Sequence, residues 1–194
     1  MASAEQCPDD AMRQVLAALR SDKDGGIAAI RSLAEVYPDD ARLPFLGGSV
    51  LAGMQRYDEA LEAMQRATEI APGFVLARFQ YGFLLLTCAR ADEAQAVWTP
   101  LLGLPQDNCF HLFAQGLGHL IRDEFASTIA CLEAGISQNS DNPLLNNDMQ
   151  LIIDEVRVKL ANQPANAPDV QSERSEAALL FERYAVRDPG AYKH

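Results

Sequence analysis

The chain has 194 residues, of which 48% are hydrophobic, so it is long enough to bury a core as one domain or one repeat array. Its formal net charge of −11 disfavours binding to nucleic acid, because affinity for phosphate backbones depends on clustered Lys and Arg. No stretch approaches the roughly 20 consecutive apolar residues of a membrane span, and residues 1–6 lack the start of a signal peptide. We therefore expect a cytoplasmic protein without a nucleic-acid or membrane partner.

Small residues and prolines recur along the chain at an interval of 34 residues. The residues that share this interval are Gly48, Gly82 and Gly116, then Ala60 and Ala94, and then Pro38 and Pro72. A glycine or alanine allows two helices to approach closely, and a proline ends a unit because it cannot continue a helix. The interval therefore predicts pairs of helices that repeat along the chain.

The first two predicted units cover residues 7–40 and 41–74. Unit 7–40 is divergent, because Gln14 stands at the position of the small residue and residues 22–26 are expected to form the turn between its helices. Unit 41–74 is the most regular of the units. Its motif residues are Gly48, Tyr57, Ala60, Ala67 and Pro72.

The next two predicted units, 75–108 and 109–142, keep the pattern less strictly. Unit 75–108 has its closing proline one residue early. Its motif residues are Gly82, Ala94, Trp98 and Pro105. Unit 109–142 keeps Gly116, but Thr128 and Gly135 stand where alanine is usual or common. We still expect both of its helices to form.

A capping helix is predicted over residues 143–161. Asn142 is a suitable N-cap and Pro143 a suitable first helical residue. One face of this helix is apolar and would cover the end of the last unit. The residues on that face are Leu145, Met149, Ile152, Val156 and Leu160. A second apolar line, formed by Leu144, Leu151 and Val158, is an anomaly that the capping role leaves unexplained.

A linker and a tail follow the capping helix. Residues 162–172 include two prolines and no apolar stripe, which predicts an extended linker. Residues 173–194 form the tail, and its first part is a helix candidate with acidic residues at its start. The apolar face of that helix consists of Ala177, Leu180, Phe181 and Tyr184.

The motif residues of unit 41–74, and more weakly those of its neighbours, resemble the tetratricopeptide-repeat (TPR) family. The resemblance implies an all-α fold, namely a right-handed helical-repeat solenoid of about four helix pairs with a capping helix and a tethered tail helix. It also implies that the repeat residues serve close packing between helices. These structural positions are Gly48, Ala60, Ala67, Pro72, Gly82, Ala94, Trp98 and Gly116.

In the TPR family, the first helix of each unit lines a concave face that binds partners. The resemblance places this partner-binding surface at Arg42, Phe45, Ser49, Leu76, Phe79, Phe83, Leu86, Phe110, Phe113 and Leu117. Most of these residues are apolar, and contiguous exposed apolar surface usually marks an interaction site. We therefore expect an adaptor or chaperone-like protein whose groove binds an apolar or amphipathic peptide segment of another protein.

Three alternatives remain open for these residues. The tail helix of the same chain could cover the groove, or a second copy could bury it in a homo-oligomer. The same residues could instead belong to the core, because aromatic stripes at helical spacing usually do. The sequence does not identify the partner.

No pattern in the sequence predicts catalysis. His111 and His119 lie eight residues apart, whereas histidines that share a metal on one helix are usually one turn apart. The sequence contains no glycine-rich phosphate loop and no nucleophile elbow. We expect no metal site, no cofactor and no enzymatic activity.

Overall fold

The computed structural model describes residues 6–162, and all regular secondary structure in that range is helical. The chain divides into two compact units, whose described parts are residues 6–84 (unit 1) and 85–162 (unit 2). Among the described helices, none has the length and hydropathy needed to cross a bilayer. The predicted tail and the predicted linker beyond Asn162 lie outside the described residues.

Unit 1 consists of successive helices, and the first four of them pack in sequence against one another. They are α1 (Asp9–Ser21), α2 (Lys23–Val36), α3 (Arg42–Gly53), α4 (Tyr57–Ile70) and the greater part of α5 (Val75–Thr87). The prediction of a turn over residues 22–26 is wrong, because only Asp22 separates α1 from α2. The two glycines of that segment are helical, and Gly26 packs so closely that an added Cβ would lie 2.4 Å from Leu19 Cδ2.

Unit 2 begins in the last turn of α5 and continues with four helical segments and a closing helix. They are α6 (Ala91–Trp98), a 3₁₀ helix (Thr99–Gly103), α7 (Cys109–Ile121), α8 (Phe125–Gln138) and α9 (Pro143–Asn162). The α-helical part ends at Trp98 because Pro100 has no N–H to continue the hydrogen bonding. Helix α7 packs on α8, and α8 packs on α9.

Glycines bring the helices of a pair close together. A Cβ added at Gly48 in α3 would lie 3.0 Å from Met64 Cγ and 3.2 Å from the backbone oxygen of Ala60, both in α4. A Cβ at Gly116 in α7 would lie 2.8 Å from Leu132 Cδ2 in α8. Glycine at these positions therefore lets the two helices of a pair lie closer together than any larger residue would allow. The other repeat residues Ala60, Ala67, Gly82, Ala94 and Trp98 are buried, and Pro72 is exposed just after α4.

The backbone repeats with the same interval as the sequence. Gln55, Ala89 and Asp123 have φ angles of 61°, 59° and 57°, and each follows the first helix of a pair. A residue in the left-handed region just after a helix is a common way to end it. These three non-glycine residues occupy equivalent turns in successive repeats, so the repeat is a property of the conformation and not of composition alone.

Helix α9 is fixed to the end of α8 by asparagine side chains. Asn142 Oδ1 accepts a hydrogen bond of 3.1 Å from the backbone N–H of Leu145, as expected of an N-cap residue. Asn139 Nδ2 donates to Asn146 Oδ1 at 2.8 Å, and Asn146 Nδ2 donates to the backbone oxygen of Asn139 at 2.8 Å. These bonds set the point where α9 begins and the face that it turns toward α8.

Candidate functional site

The phenylalanines of the predicted partner-binding surface in unit 1 contact other aromatic rings. Phe79 and Phe83, one turn apart on α5, are buried and stacked with ring centroids 6.2 Å apart. Phe45 and Leu76 are half-buried, and the Phe45 ring lies 4.9 Å from that of Phe74. Phe79 and Phe83 therefore have almost no accessible surface in this structure, and their place in a partner-binding groove stays a prediction.

Ser49, another predicted surface residue, is also buried. Its hydroxyl donates to the backbone oxygen of Phe45 at 3.0 Å, within α3. Gln80 Oε1 in α5 lies 3.4 Å from the same hydroxyl, a longer and weaker contact. The polar atom of Ser49 is thus satisfied inside unit 1.

Arg42 ties the start of the chain to α3. Its guanidinium donates to Asp40 Oδ2 at 2.7 Å and to the backbone oxygen of Cys7 at 2.8 Å. Asp40 is buried, and its carboxylate also accepts a hydrogen bond of 2.9 Å from the backbone N–H of Cys7. Burial alone would raise the pKa of Asp40, but the hydrogen bonds from Arg42 and Cys7 outweigh it and lower the pKa below its usual 3.8. The resemblance placed Arg42 on a binding surface, whereas its contacts here are internal.

In unit 2, the predicted surface residues Leu86, Phe113 and Leu117 are buried, and Phe110 is half-buried. The ring of Phe113 packs against α8 at Gly135, where an added Cβ would lie 2.5 Å from two ring carbons. Phe113 is therefore part of the core between α7 and α8. The absence of a side chain at Gly135, where alanine is common in the TPR pattern, provides the space for this ring.

The accessible apolar side chains of unit 2 include a straight line on α9. Leu144, Leu151 and Val158 are 46%, 45% and 56% exposed and recur every seven residues. We call them the α9 apolar line. The opposite face of α9 belongs to the core, with Leu145, Met149, Ile152, Ile153 and Val156 buried. Leu160, expected on that inner face, is 39% exposed.

The α9 apolar line continues the register of the predicted surface. Leu144 follows Phe110 by 34 residues, and Leu151 follows Leu117 by the same interval. Phe110 is half-buried and Leu117 buried, whereas their counterparts on α9 are exposed. From the sequence alone, the capping role does not explain this line. The signal that identifies this line in the sequence is that it extends the 34-residue interval beyond the fourth predicted repeat, 109–142.

Charged groups lie beside the α9 apolar line and are mostly paired with one another. Arg157 forms an ion pair with Glu133 of α8, and its Nη1 lies 3.8 Å from Asp154 Oδ1. Gln150 Nε2 donates to the same Asp154 oxygen at 2.9 Å. The line is thus an apolar strip with polar borders, which is the usual composition of a contact surface on a helix.

His111 and His119 form separate hydrogen bonds. His111 Nδ1 lies 3.1 Å from the backbone oxygen of Leu104. His119 contacts the carboxylate of Glu124, which also accepts a hydrogen bond of 3.0 Å from Arg122 Nε. These bonds, from Arg122 and then His119, lower the pKa of Glu124 to about 2. Within residues 6–162, no group of three or more His, Cys, Asp or Glu could hold a metal ion.

Neither a protein-family model nor a curated protein sequence matches the chain. Solved structures of MamA do match. MamA 41-end from Desulfovibrio magneticus RS-1 has 12% sequence identity and a TM-score of 0.58, over 92% of each chain. The MamA RS-1 ArsTM double mutant has 13% identity and a TM-score of 0.58, over 93% of this chain and 97% of its own. MamA has a TPR-like helical-repeat fold, and at this identity the likeness shows that the present chain has an all-α helical-repeat fold of the same kind.

Proposed function

We propose that this chain is a non-catalytic protein-interaction module of the TPR type, an adaptor or chaperone-like protein that binds an apolar or amphipathic helical segment of a partner protein. The likeness to MamA supports the repeat architecture. The observation that carries the proposal is the α9 apolar line, in which three large aliphatic side chains remain exposed on a helix whose other face is in the core.

The spacing of the α9 apolar line favours a helix as its partner. Residues seven apart lie nearly on one line along a helix, and a second helix with apolar residues at the same spacing can pack along it. The distance from Leu144 to Val158 is about 21 Å at 1.5 Å per residue. A partner helix of about 14 residues would therefore contact the whole line.

The buried phenylalanines do not belong to the proposed contact surface. Phe79, Phe83 and Phe113 are less than 5% exposed, so they offer a partner almost no accessible surface in this structure. Phe110 on α7 is half-buried and is the predicted surface residue of unit 2 that a partner could still contact. The proposal thus moves the binding surface from the phenylalanines to α9.

A stable homodimer through the α9 apolar line alone is not expected. Stable interfaces bury roughly 1,600 Å² in total, which is far more than three side chains on each copy can supply. In an antiparallel pairing centred on Leu151, Asp148 of one copy would also face Asp154 of the other, and like charges in that position repel. A foreign helix with complementary charges avoids this repulsion.

The proposal can be tested with helical peptides selected by display on the full chain. We expect selected peptides to carry apolar residues seven apart and to lose at least about tenfold in affinity, or about 1.4 kcal/mol, for Leu151→Lys. Leu102→Lys is the matched control, because Leu102 has a similar exposure of 48% but lies in the 3₁₀ helix. Fluorescence anisotropy of labelled peptides gives the affinities.

Three outcomes would count against the proposal. Selected peptides could bind wild type and Leu151→Lys equally, or the Leu102→Lys control could be the variant that loses affinity. Selection could also enrich no peptide above background. In each case the α9 apolar line would not be the binding surface, and its exposure would have no part in partner recognition.

A further inference from the structure

Unit 1 contains an open cleft that no part of the proposed function uses. It has a volume of about 290 Å³ and is lined by residues of α2, α3 and α4. Ile27, Ile30 and Leu51 are buried and form its floor. Its walls are built from four small residues, Ala34, Pro44, Gly47 and Ala63. We call it the α2–α4 cleft.

The small residues keep the α2–α4 cleft open. A Cβ at Gly47 would lie 3.4 Å from Ile30 Cγ2, in ordinary van der Waals contact, so an added methyl group would occupy space beside the floor that glycine leaves empty. Ala34 on α2 and Ala63 on α4 extend only one carbon into the space between them. The apolar floor therefore stays accessible from the surface, as in sites that receive an apolar group.

One end of the cleft is closed by an ion pair between α2 and α4. Arg31 Nη2 lies 2.7 Å from Glu59 Oε2. Arg56 donates to both oxygens of the same carboxylate, at 2.7 Å each, and the bonds from Arg56 and Arg31 lower the pKa of Glu59 to about 2. Arg56 also lies 2.8 Å from Asp24 Oδ1, so the two arginines and two carboxylates of this cluster balance and offer no net charge to a ligand.

The remaining rim carries Glu62 and Arg66 of α4. Arg66 is 58% exposed and lies 3.9 Å from Glu69. Glu62 is exposed, and among the described residues no ion pair engages it. The unbalanced charge at the rim is thus the Glu62 carboxylate, on a chain whose net charge is −11. A ligand that enters the apolar cleft would therefore bind more tightly if it carried a positive charge beside Glu62.

We propose that the α2–α4 cleft is a docking site for a basic amphipathic helix of a partner protein. One large apolar side chain, such as Leu, Met or Phe, enters the cleft, and a Lys or Arg one turn away pairs with Glu62. The cleft is at the lower end of the size range of ligand pockets, which suits a single side chain and not a large small molecule. This site belongs to unit 1 and does not depend on the α9 apolar line.

Designed peptides on the full chain test the proposal. The probe is a labelled alanine- and glutamine-based helix of about 14 residues with one central Phe and a Lys four residues later. Its two counterparts replace the Phe by Ala or the Lys by Glu. We expect saturable binding of the probe with a Kd below about 1 mM, and at least about tenfold weaker binding of both counterparts.

Two variants of the protein assign the binding to the cleft. Ala63→Phe fills the cleft and should weaken probe binding at least about tenfold. Glu62→Lys changes only an exposed residue, so it should fold normally and reverse the preference, binding the Glu peptide more tightly than the Lys peptide. Glu35→Lys, at another exposed position in unit 1, is the control and should not reverse it.

The proposal would be overturned if the probe showed no saturable binding at about 1 mM, or if all three peptides bound equally. It would also be overturned if Glu62→Lys left the preference unchanged. A light-scattering mass that doubles in wild type but not in Glu62→Lys would assign the cleft to a second copy of the chain instead. Loss of peptide binding to Leu151→Lys would concern α9 alone, so the two proposals fail separately.

Discussion

The ring of Phe113 on α7 occupies the space that a Cβ at Gly135 on α8 would need, since such an atom would lie 2.5 Å from both Cδ1 and Cε1 of the ring. Phe113 is fully buried, so the ring has little room to move away. The pair explains why a glycine is present within α8, where it lowers helix propensity. It also explains why Phe113 belongs to the core and not to an open groove.

Gly135→Ala should therefore destabilise the protein although alanine is the better helix former. Overpacking a core costs about 1 to 3 kcal/mol, while the gain in helix propensity is about 1 kcal/mol or less. We expect a net loss of about 1 kcal/mol in the free energy of unfolding, measured with urea. An increase in stability would mean that the ring moves aside at little cost.

A double-mutant cycle isolates this contact. Phe113→Leu alone should cost about 1 to 2 kcal/mol through the cavity that it leaves. Gly135→Ala combined with Phe113→Leu should be more stable than the sum of the single effects by about 1 kcal/mol, because the smaller side chain makes room for the methyl group. Strictly additive effects would contradict the proposed packing between the two residues.

Substitutions that introduce a charge should distinguish buried positions from accessible ones by their effect on stability. Phe113→Glu places a carboxylate in a fully buried site, so we expect loss of cooperative unfolding and of much of the helical circular dichroism signal. Leu151→Glu lies on the exposed α9 apolar line and should change stability by less than about 0.5 kcal/mol. If Phe113→Glu folded normally, Phe113 would be a surface residue, as the TPR resemblance implied.

The repeat interval was readable from the sequence because it depends on local steric demands. Glycine at positions 48 and 116 is needed wherever two helices approach closely, and the structure has small separations at both. The start of α9 was also readable, since an asparagine followed by a proline has a direct effect on helix initiation. The side-chain preferences of such residues do not depend on distant parts of the chain.

The orientation of long side chains was less predictable. The register assigned Phe113 to the concave face, but a long side chain can turn toward whichever neighbour leaves space, and here that neighbour is Gly135. Arg42 likewise lies at a surface position in the register. Its guanidinium nevertheless forms an ion pair with Asp40, because a buried carboxylate requires a cation beside it. The α2–α4 cleft depends on which side chains are absent from a shared space, which the interval alone does not reveal.

Ala89→Gly should stabilise the protein. Ala89 has a φ of 59°, a left-handed conformation that strains any residue with a Cβ. Glycine relieves this strain but loses more entropy on folding, so we expect a gain of about 0.5 to 1 kcal/mol in thermal or urea unfolding. Ala130→Gly, at an exposed helical position in α8, is the control and should lose about 1 kcal/mol. Loss of stability in both variants would indicate that Ala89 is not strained.

Asp40 should make stability depend on pH in acid. Its folded-state pKa is lowered, so the ion pair with Arg42 contributes fully above the unfolded-state pKa near 3.8 and is lost as the pH falls through the folded-state pKa. Asp40→Asn should cost about 2 kcal/mol at neutral pH. Urea unfolding between about pH 7 and pH 2 should show this difference shrinking in acid. A difference independent of pH would mean that the charge of Asp40 is not what stabilises the contact.

The most direct test of the proposed function is to locate a bound helix on the protein. A photo-reactive benzoylphenylalanine is placed at position 151 of the full chain, or at position 102 as the control, and each is irradiated with a display-selected peptide. We expect a covalent adduct, identified by mass spectrometry, at position 151 and not at position 102. An adduct at position 102 but not at 151 would contradict the claim that α9 forms the binding surface.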